Sequence, residues 1–120
     1  MEFLFLLYAI KHGFADLALQ RYFVSGSEKQ TYFNRKAQIH YLHHSVLTAI
    51  ISAFFFDLEI AVLLGIIDHI AHWHIDYAKT IVKLKYNIVE SKKSFWLLQT
   101  ADQSLHFITY YLLIFLGSIA

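Results

Sequence analysis

The chain has 120 residues, 58% of them apolar and 16% charged, with a formal net charge of +1, no proline and no cysteine. That length holds one domain at most, and the missing cysteine excludes disulfides and thiolate metal sites. An apolar share above the roughly 45–50% of soluble domains, with charge below the usual ~25%, points to lipid as the solvent.

The first apolar segment, residues 3–24, begins within MEFLFLLYAIKHGFADLALQ. Glu2 stands where a signal peptide needs positive charge and no small-residue cleavage site follows, so the segment reads as a helix of the mature chain. Lys11, His12, Asp16, Gln20 and Arg21 interrupt it. It either crosses a bilayer obliquely, with Gly13 permitting a bend, or lies in the interface. A polar stretch with a glycine between serines leads to the second segment, residues 36–56. The tight link DLE leads to the third, residues 59–83, and KLKYNIVESKK to the fourth, residues 94–119. Each is close to the roughly 20 residues that cross a hydrocarbon core.

If all four cross, the first and third connections share a side. They carry Arg21, Lys29, Arg35, Lys36, Lys79, Lys83, Lys85, Lys92 and Lys93 against Glu28 and Glu90. The opposite side carries Glu2, Asp57 and Glu59 and no basic residue. The positive-inside rule makes the basic side cytoplasmic. The expected fold is therefore all-α, one integral membrane domain over residues 1–120, a four-helix transmembrane bundle with both termini on the extracytoplasmic side. A soluble, oligomerising helical bundle is the alternative. Trp73, Trp96 and the tyrosines fit interfacial anchors but decide little between the two.

Residues four apart share a helix face, and each segment carries such a pair: His12 and Asp16, His40 and His44, His72 and Asp76, Asp102 and His106. With alternating helix directions, all four pairs fall in one layer on the basic side. An ionisable side chain at mid-membrane costs about 2.5–3.5 kcal/mol on insertion scales and normally faces a partner inside a bundle. A layer of carboxylates and imidazoles is most simply resolved by a divalent cation, zinc first, then iron or manganese. Paired ligands from facing helices are also how carboxylate-bridged two-metal bundles are built. A single His/Asp pair is more often an interhelical hydrogen bond, but one pair on every helix favours metal. His43 shares the flank of His40 and His69 precedes His72 by one turn, so either could join; His74 points off the stripe. Asp68 is a ligand or a supporting acceptor. Gln20, Thr48, Ser52 and Thr109 extend the stripes and either orient ligands or pack helices. Lys79 either pairs with Asp76, attracts an anion or snorkels to the headgroups.

The order of these motifs resembles a family of small His/Asp-rich helical membrane proteins of bacteria and their phages, known only as a domain of unknown function. The resemblance spans nearly the whole chain: HGFAD and LALQ, then HYLHHS, then HIDYAK, then DQSLH. It covers His12, Asp16, Gln20, His44, Asp76, Lys79, Asp102, Gln103 and His106, and in the third helix it allows His72 or His74 as the ligand. It implies a membrane location, suggests a metal site and supplies no activity; with the loop charges, the expected location is the bacterial inner membrane with the basic loops cytoplasmic. HYLHH also fits the histidine box of membrane desaturases, but the other three clusters contain aspartate and the chain is short for that chemistry.

Two classes of function follow. A metal near the cytoplasmic interface can activate water and polarise a phosphoryl or acyl oxygen. That describes a metal-dependent hydrolase of phosphoester or lipid substrates, with Asp16 or Asp102 as general base and Lys79 beside them. Its partners would be the bilayer and an anionic lipid or nucleotide substrate; nothing calls for nucleic acid, and a homo-oligomer is compatible. The alternative is a non-enzymatic metal-binding, metal-transporting or structural membrane protein.

Overall fold

The computed structural model describes residues 1–19 and 29–120. Those residues form four α-helices and no strand: α1 (Glu2–Gly13), α2 (Arg35–Ser52), α3 (Leu58–Lys85) and α4 (Lys93–Ile119). Expectations for Gln20, Arg21, Glu28 and the end of the first helix lie outside the described residues.

The ends of the helices have local causes. The first helix does not stay regular: after Gly13 it widens into π-helical turns over Phe14–Leu19, the segment that carries Asp16. Such turns are rare and recur at functional sites. Asn34 caps α2, its side-chain oxygen accepting from the Lys36 and Ala37 amides at 3.0 and 3.2 Å. α2 stops at Ser52, four residues short of the expectation. There the Phe55 and Phe56 amides both turn back onto the Ser52 carbonyl at 2.9 Å. α3 ends two residues later than expected, beside Asn87 at φ 49°, a left-handed position that asparagine tolerates better than most side chains.

Cross-helix pairs give the register. Tyr8 meets Ser52, Asp16 meets His44, Thr48 meets Asp68, and Asp76 meets His106. Rising numbers on one helix meet falling numbers on the next, so neighbours run antiparallel. α2 and α3 approach most closely at Gly65, where a Cβ would stand 2.8 Å from the Ser45 carbonyl oxygen and 3.0 Å from Ala49 Cβ. Only a glycine allows that backbone approach.

The distribution of polarity is inverted relative to a soluble domain. The interior holds Lys11, His12, His40, His44, Thr48, Ser52, Asp68, His72, Asp76, Asp102 and His106, whereas Leu6, Ile10, Leu42, Val46, Ile50, Val62, Ile66, Ile70, Leu105, Ile108, Leu112 and Phe115 face outward. One end has an apolar core of Leu4, Tyr8, Leu64, Tyr110, Leu113 and Ile114. By length and composition, α3 is the one helix among those described that is long and apolar enough to cross a membrane. α1 is 12 residues long before it widens, and the polar residues of α2 and α4 lower their average apolarity.

Candidate metal centre

Each helix delivers its pair to one place. The stripe on α3 runs Ala61, Leu64, Gly65, Asp68, His72, Asp76, at helical spacing, so one face passes from apolar to acidic along its length. α2 carries a polar stripe of His40, His44, Thr48 and Ser52 at the same spacing, and α4 one of Asp102, His106, Tyr110 and Leu113 that passes from acidic to apolar. All eight residues expected as ligands meet in the half of the bundle opposite the apolar core.

Among the described residues, three overlapping sets place one donor atom each within 4.8 Å of the others: Asp16 with His40, His44 and His72; His12 with His72 and His106; Asp76 with Asp102 and His106. Asp16 Oδ1 lies 2.8 Å from His44 Nε2, 3.4 Å from His40 Nε2 and 3.9 Å from His72 Nε2. Asp76 Oδ2 lies 3.3 Å from His72 Nε2 and 3.7 Å from His40 Nε2, while its Oδ1 lies 3.1 Å from His106 Nε2. The His44 and His72 rings stack at 3.8 Å between centroids, and His72 and His106 stand 4.1 Å apart.

Two residues are decisive. His40 and His72 are fully buried, and neither nitrogen of either ring makes a hydrogen bond. Buried polar atoms are nearly always satisfied, so four orphaned nitrogens in one layer require a cause. The distances from the Nε2 atoms of the two rings to the carboxylates, 3.3–3.9 Å, are long for hydrogen bonds. They suit donors sharing a cation: ligands about 2.0–2.1 Å from zinc stand roughly 3.3–3.4 Å apart along a tetrahedral edge. These buried groups could hold a metal ion.

A second layer holds the first. Lys11, only 4% exposed, donates to Asp68 Oδ2 at 2.9 Å, lies 3.2 Å from His44 Nδ1, and packs over the Tyr110 ring at 4.6 Å. Thr48 donates to the same Asp68 oxygen. Asp68 is thus a supporting acceptor, one turn from the cluster. His12 has partners on both nitrogens: Tyr110 Oη at 2.5 Å on Nδ1, and Gln103 Oε1 at 3.1 Å and Asp16 Oδ2 at 3.0 Å on Nε2. Such contacts fix ring orientation.

The open choices resolve by position. His72 enters the cluster; His74 lies outside, against Tyr32 Oη and the Ile70 carbonyl. His40 enters it, and His43 belongs to none of the three sets. His69 turns to Gln38 Oε1 at 2.9 Å instead. Ser52 bonds Tyr8 in the middle of the bundle, and Thr109 bonds its own helix at the Leu105 carbonyl. Lys79 neither snorkels nor pairs with Asp76: it turns inward to Asp102 Oδ2 at 3.1 Å. Asp76 takes Lys29 instead, at 2.7 Å.

A cavity of about 280 Å³ leads into the cluster, lined by His12, Asp16, Lys29, Asp76, Lys79 and Asp102 together with Gly13, Leu17, Gln99 and Gln103. Sequence spacing missed Lys11, Lys29 and Tyr110. Lys11 is one residue from His12 and was legible only as an interruption of an apolar helix, although a lysine inside such a helix itself calls for a buried acid.

Compared with family models, curated proteins and solved structures, the chain finds no match. Its function is therefore read from the geometry of this centre.

Proposed function

We propose that the chain is an integral membrane protein whose four helices cross the bilayer and enclose a divalent-metal centre near the cytoplasmic face, and that it is a metal-dependent hydrolase of phosphoester or lipid substrates. Zinc is the first candidate, iron or manganese the next. The observation that carries this reading is the set of orphaned His40 and His72 nitrogens at cation-sharing distance from Asp16 and Asp76.

The membrane part draws on the outward-facing leucines, isoleucines and valines around a polar interior. Lipid tolerates such a surface, and ionisable groups within a bilayer face inward and pair. Averages of hydropathy undercount such helices because they ignore which way a residue faces. The His and Asp residues of α2 and α4 that line the cluster lower the average apolarity of those helices. The basic connections favour the cytoplasm for the cavity's side.

The hydrolase part draws on the cavity. A cation there supplies Lewis acidity and makes a nearby water a better nucleophile at neutral pH. The chain supplies the rest. Asp16 and Asp102 both line the cavity, and a carboxylate oxygen of either that is not engaged with a cation takes the proton of the attacking water. Water attacks phosphorus, the P–O ester bond breaks, and the alcohol leaves with a proton. Lys79, one-quarter exposed at the mouth, attracts the substrate's anionic oxygens.

Non-enzymatic metal binding is the second reading, favoured by the complete burial of His40, His44 and His72. A conduit through one chain is disfavoured, because the polar cluster ends against Leu4, Leu64, Leu113 and Ile114. The test is elemental analysis of the full chain in detergent, followed by release of phosphate from phosphatidic acid in mixed micelles. Stoichiometric metal with turnover that Asp102→Asn abolishes supports the hydrolase. Metal without turnover on any phosphoester leaves the second reading, and repeated metal-free preparations of full stability overturn both.

A further inference from the structure

The eight donors are too many for one tetrahedral ion, and they are not arranged as one shell. We infer that seven of them form two cation positions: an inner one of His40, His44, His72 and Asp16, enclosed by protein, and an outer one of Asp76, Asp102 and His106, open to the cavity, whose cation together with Lys29 and Lys79 takes a phosphate-type anion. This rests on the metal-binding reading above and deepens it by dividing the donors and naming the ligand class.

Asp76 marks the boundary. Its Oδ2 faces the inner imidazoles, 3.3 Å from His72 and 3.7 Å from His40, while its Oδ1 faces His106 at 3.1 Å. One carboxylate with an oxygen toward each set is the arrangement that bridges paired cations in helical bundles. The inner donors are His40, His44 and His72, all fully buried, and none of the three belongs to the lining of the cavity. Of the outer donors that lining includes Asp76 and Asp102 but not His106, which is 2% exposed, and Asp16 lines it from the inner set. Asp102 supplies the independent sign of an outer ligand: it is 4% exposed, yet its Oδ1 has no hydrogen-bond partner and lies 3.4 Å from His106 Nε2. His12 has Nδ1 held by Tyr110 and Nε2 held by Gln103 as well as Asp16, and is a positioning residue; the Nε2 of His44 meets only Asp16, a donor of its own set.

The donor chemistry differs accordingly. Three imidazoles and one carboxylate suit zinc in a closed tetrahedron. Two carboxylates and one imidazole, with a cavity to supply further oxygen ligands, suit manganese, magnesium or iron. Charge then selects the ligand. Asp16, Asp76 and Asp102 against Lys29 and Lys79 leave one negative charge, with the imidazoles neutral. Two divalent cations reverse that to about three positive, and a phosphate dianion offsets most of it. A cation that takes over Asp76 Oδ2 and Asp102 competes with the lysines now paired there, so Lys29 and Lys79 turn to the anion in the cavity between them. The shared chemistry is a phosphate oxygen, whether of a soluble ion or of a lipid headgroup.

The full chain in detergent, stripped and reloaded with zinc and manganese, tests the division. Two equivalents per chain are expected, with manganese lost to a weak chelator and zinc retained. Asp102→Asn should lose the labile equivalent alone, and His40→Ala the tight one. Inorganic phosphate should tighten manganese binding at least tenfold, and Lys79→Ala should reduce that linkage by about tenfold, the scale of one charge-assisted hydrogen bond. Repeating the titration in phosphatidylcholine nanodiscs with and without phosphatidic acid, and no free phosphate, separates the two sources of phosphate. A single equivalent in both wild type and Asp102→Asn, released in one step, overturns the two-position inference and leaves the metal centre standing. Two equivalents indifferent to phosphate in both media overturn the anion subsite. No bound metal overturns the metal-binding reading itself.

Discussion

The two ends of this bundle are built on opposite terms. At one end Leu4, Leu64, Leu113 and Ile114 fill the space between helices and need nothing further. At the other, five imidazoles and three carboxylates crowd together, and although most of them find a partner, His40 and His72 satisfy none of their nitrogens and Asp102 Oδ1 has no hydrogen-bond partner. A solvent-free interior tolerates the first arrangement on packing alone. The second is costly unless something cationic is shared. Under the proposed reading, helix association is carried by packing at one end and by ligation at the other, so the two can be broken separately.

The largest effect should come from removing metal. Under the proposed reading, a cation present at a thousand times its dissociation constant contributes about 4 kcal/mol to apparent stability. Chelation should lower the thermal midpoint of the detergent-solubilised chain accordingly, by circular dichroism. His72→Ala should remove the tightly held metal, and chelator should then shift the midpoint less. If chelation leaves the wild-type midpoint unchanged, the ends do not differ in the way described.

The reciprocal break is Leu113→Ala. It should cost about 2–5 kcal/mol, the usual range for truncating a buried leucine, while elemental analysis finds metal content intact. Loss of metal in this variant would mean that the halves fold as one unit.

Acid offers a milder separation. Histidine must be neutral to ligate, and free imidazole protonates near pH 6.5. Metal retention should be complete above that range and fall as pH drops through and below it. The metal-dependent part of stability should be lost over the same interval, and Leu113→Ala should follow the same curve from a lower baseline. A midpoint flat from pH 8 to 5 would detach the histidines from stability.

The difference between the ends was partly written in the sequence. Spacing by four puts His12 with Asp16 and Asp102 with His106 on one face whatever the tertiary structure, and antiparallel succession then fixes their common depth. This is why the eight residues were legible one helix at a time. Contacts set by the rotation of one helix against another were not. Lys79 is three residues from Asp76 in sequence but meets Asp102 across the α3–α4 interface. Lys29 reaches Asp76 from a connection with no periodicity to read. Lys11 looked like a defect in an apolar run, because its partner Asp68 sits 57 positions away. The outward apolar faces explain why composition suggested lipid while only α3 reads as a span by length and average apolarity.

The smallest effect is also the most discriminating, because two tyrosines sit at the junction of the ends with their rings 5.6 Å apart. Tyr8 gives its hydroxyl to a contact with Ser52 at 2.6 Å, and Tyr110 gives its own to His12 Nδ1. Each loses one hydrogen bond on conversion to phenylalanine, and each should lose about 1 kcal/mol of stability, less if the partner finds a substitute. Their effects on metal should part. Tyr110→Phe releases the ring of His12, whose other nitrogen holds Asp16, and supporting contacts of this kind typically change metal affinity by about 10–100-fold. Tyr8→Phe touches only Ser52 and should leave affinity unchanged. Competition against a chelator of known strength measures both. Equal affinities in the two variants would show that the junction transmits nothing to the centre, and that the orientation of His12 does not depend on the helix contacts above it.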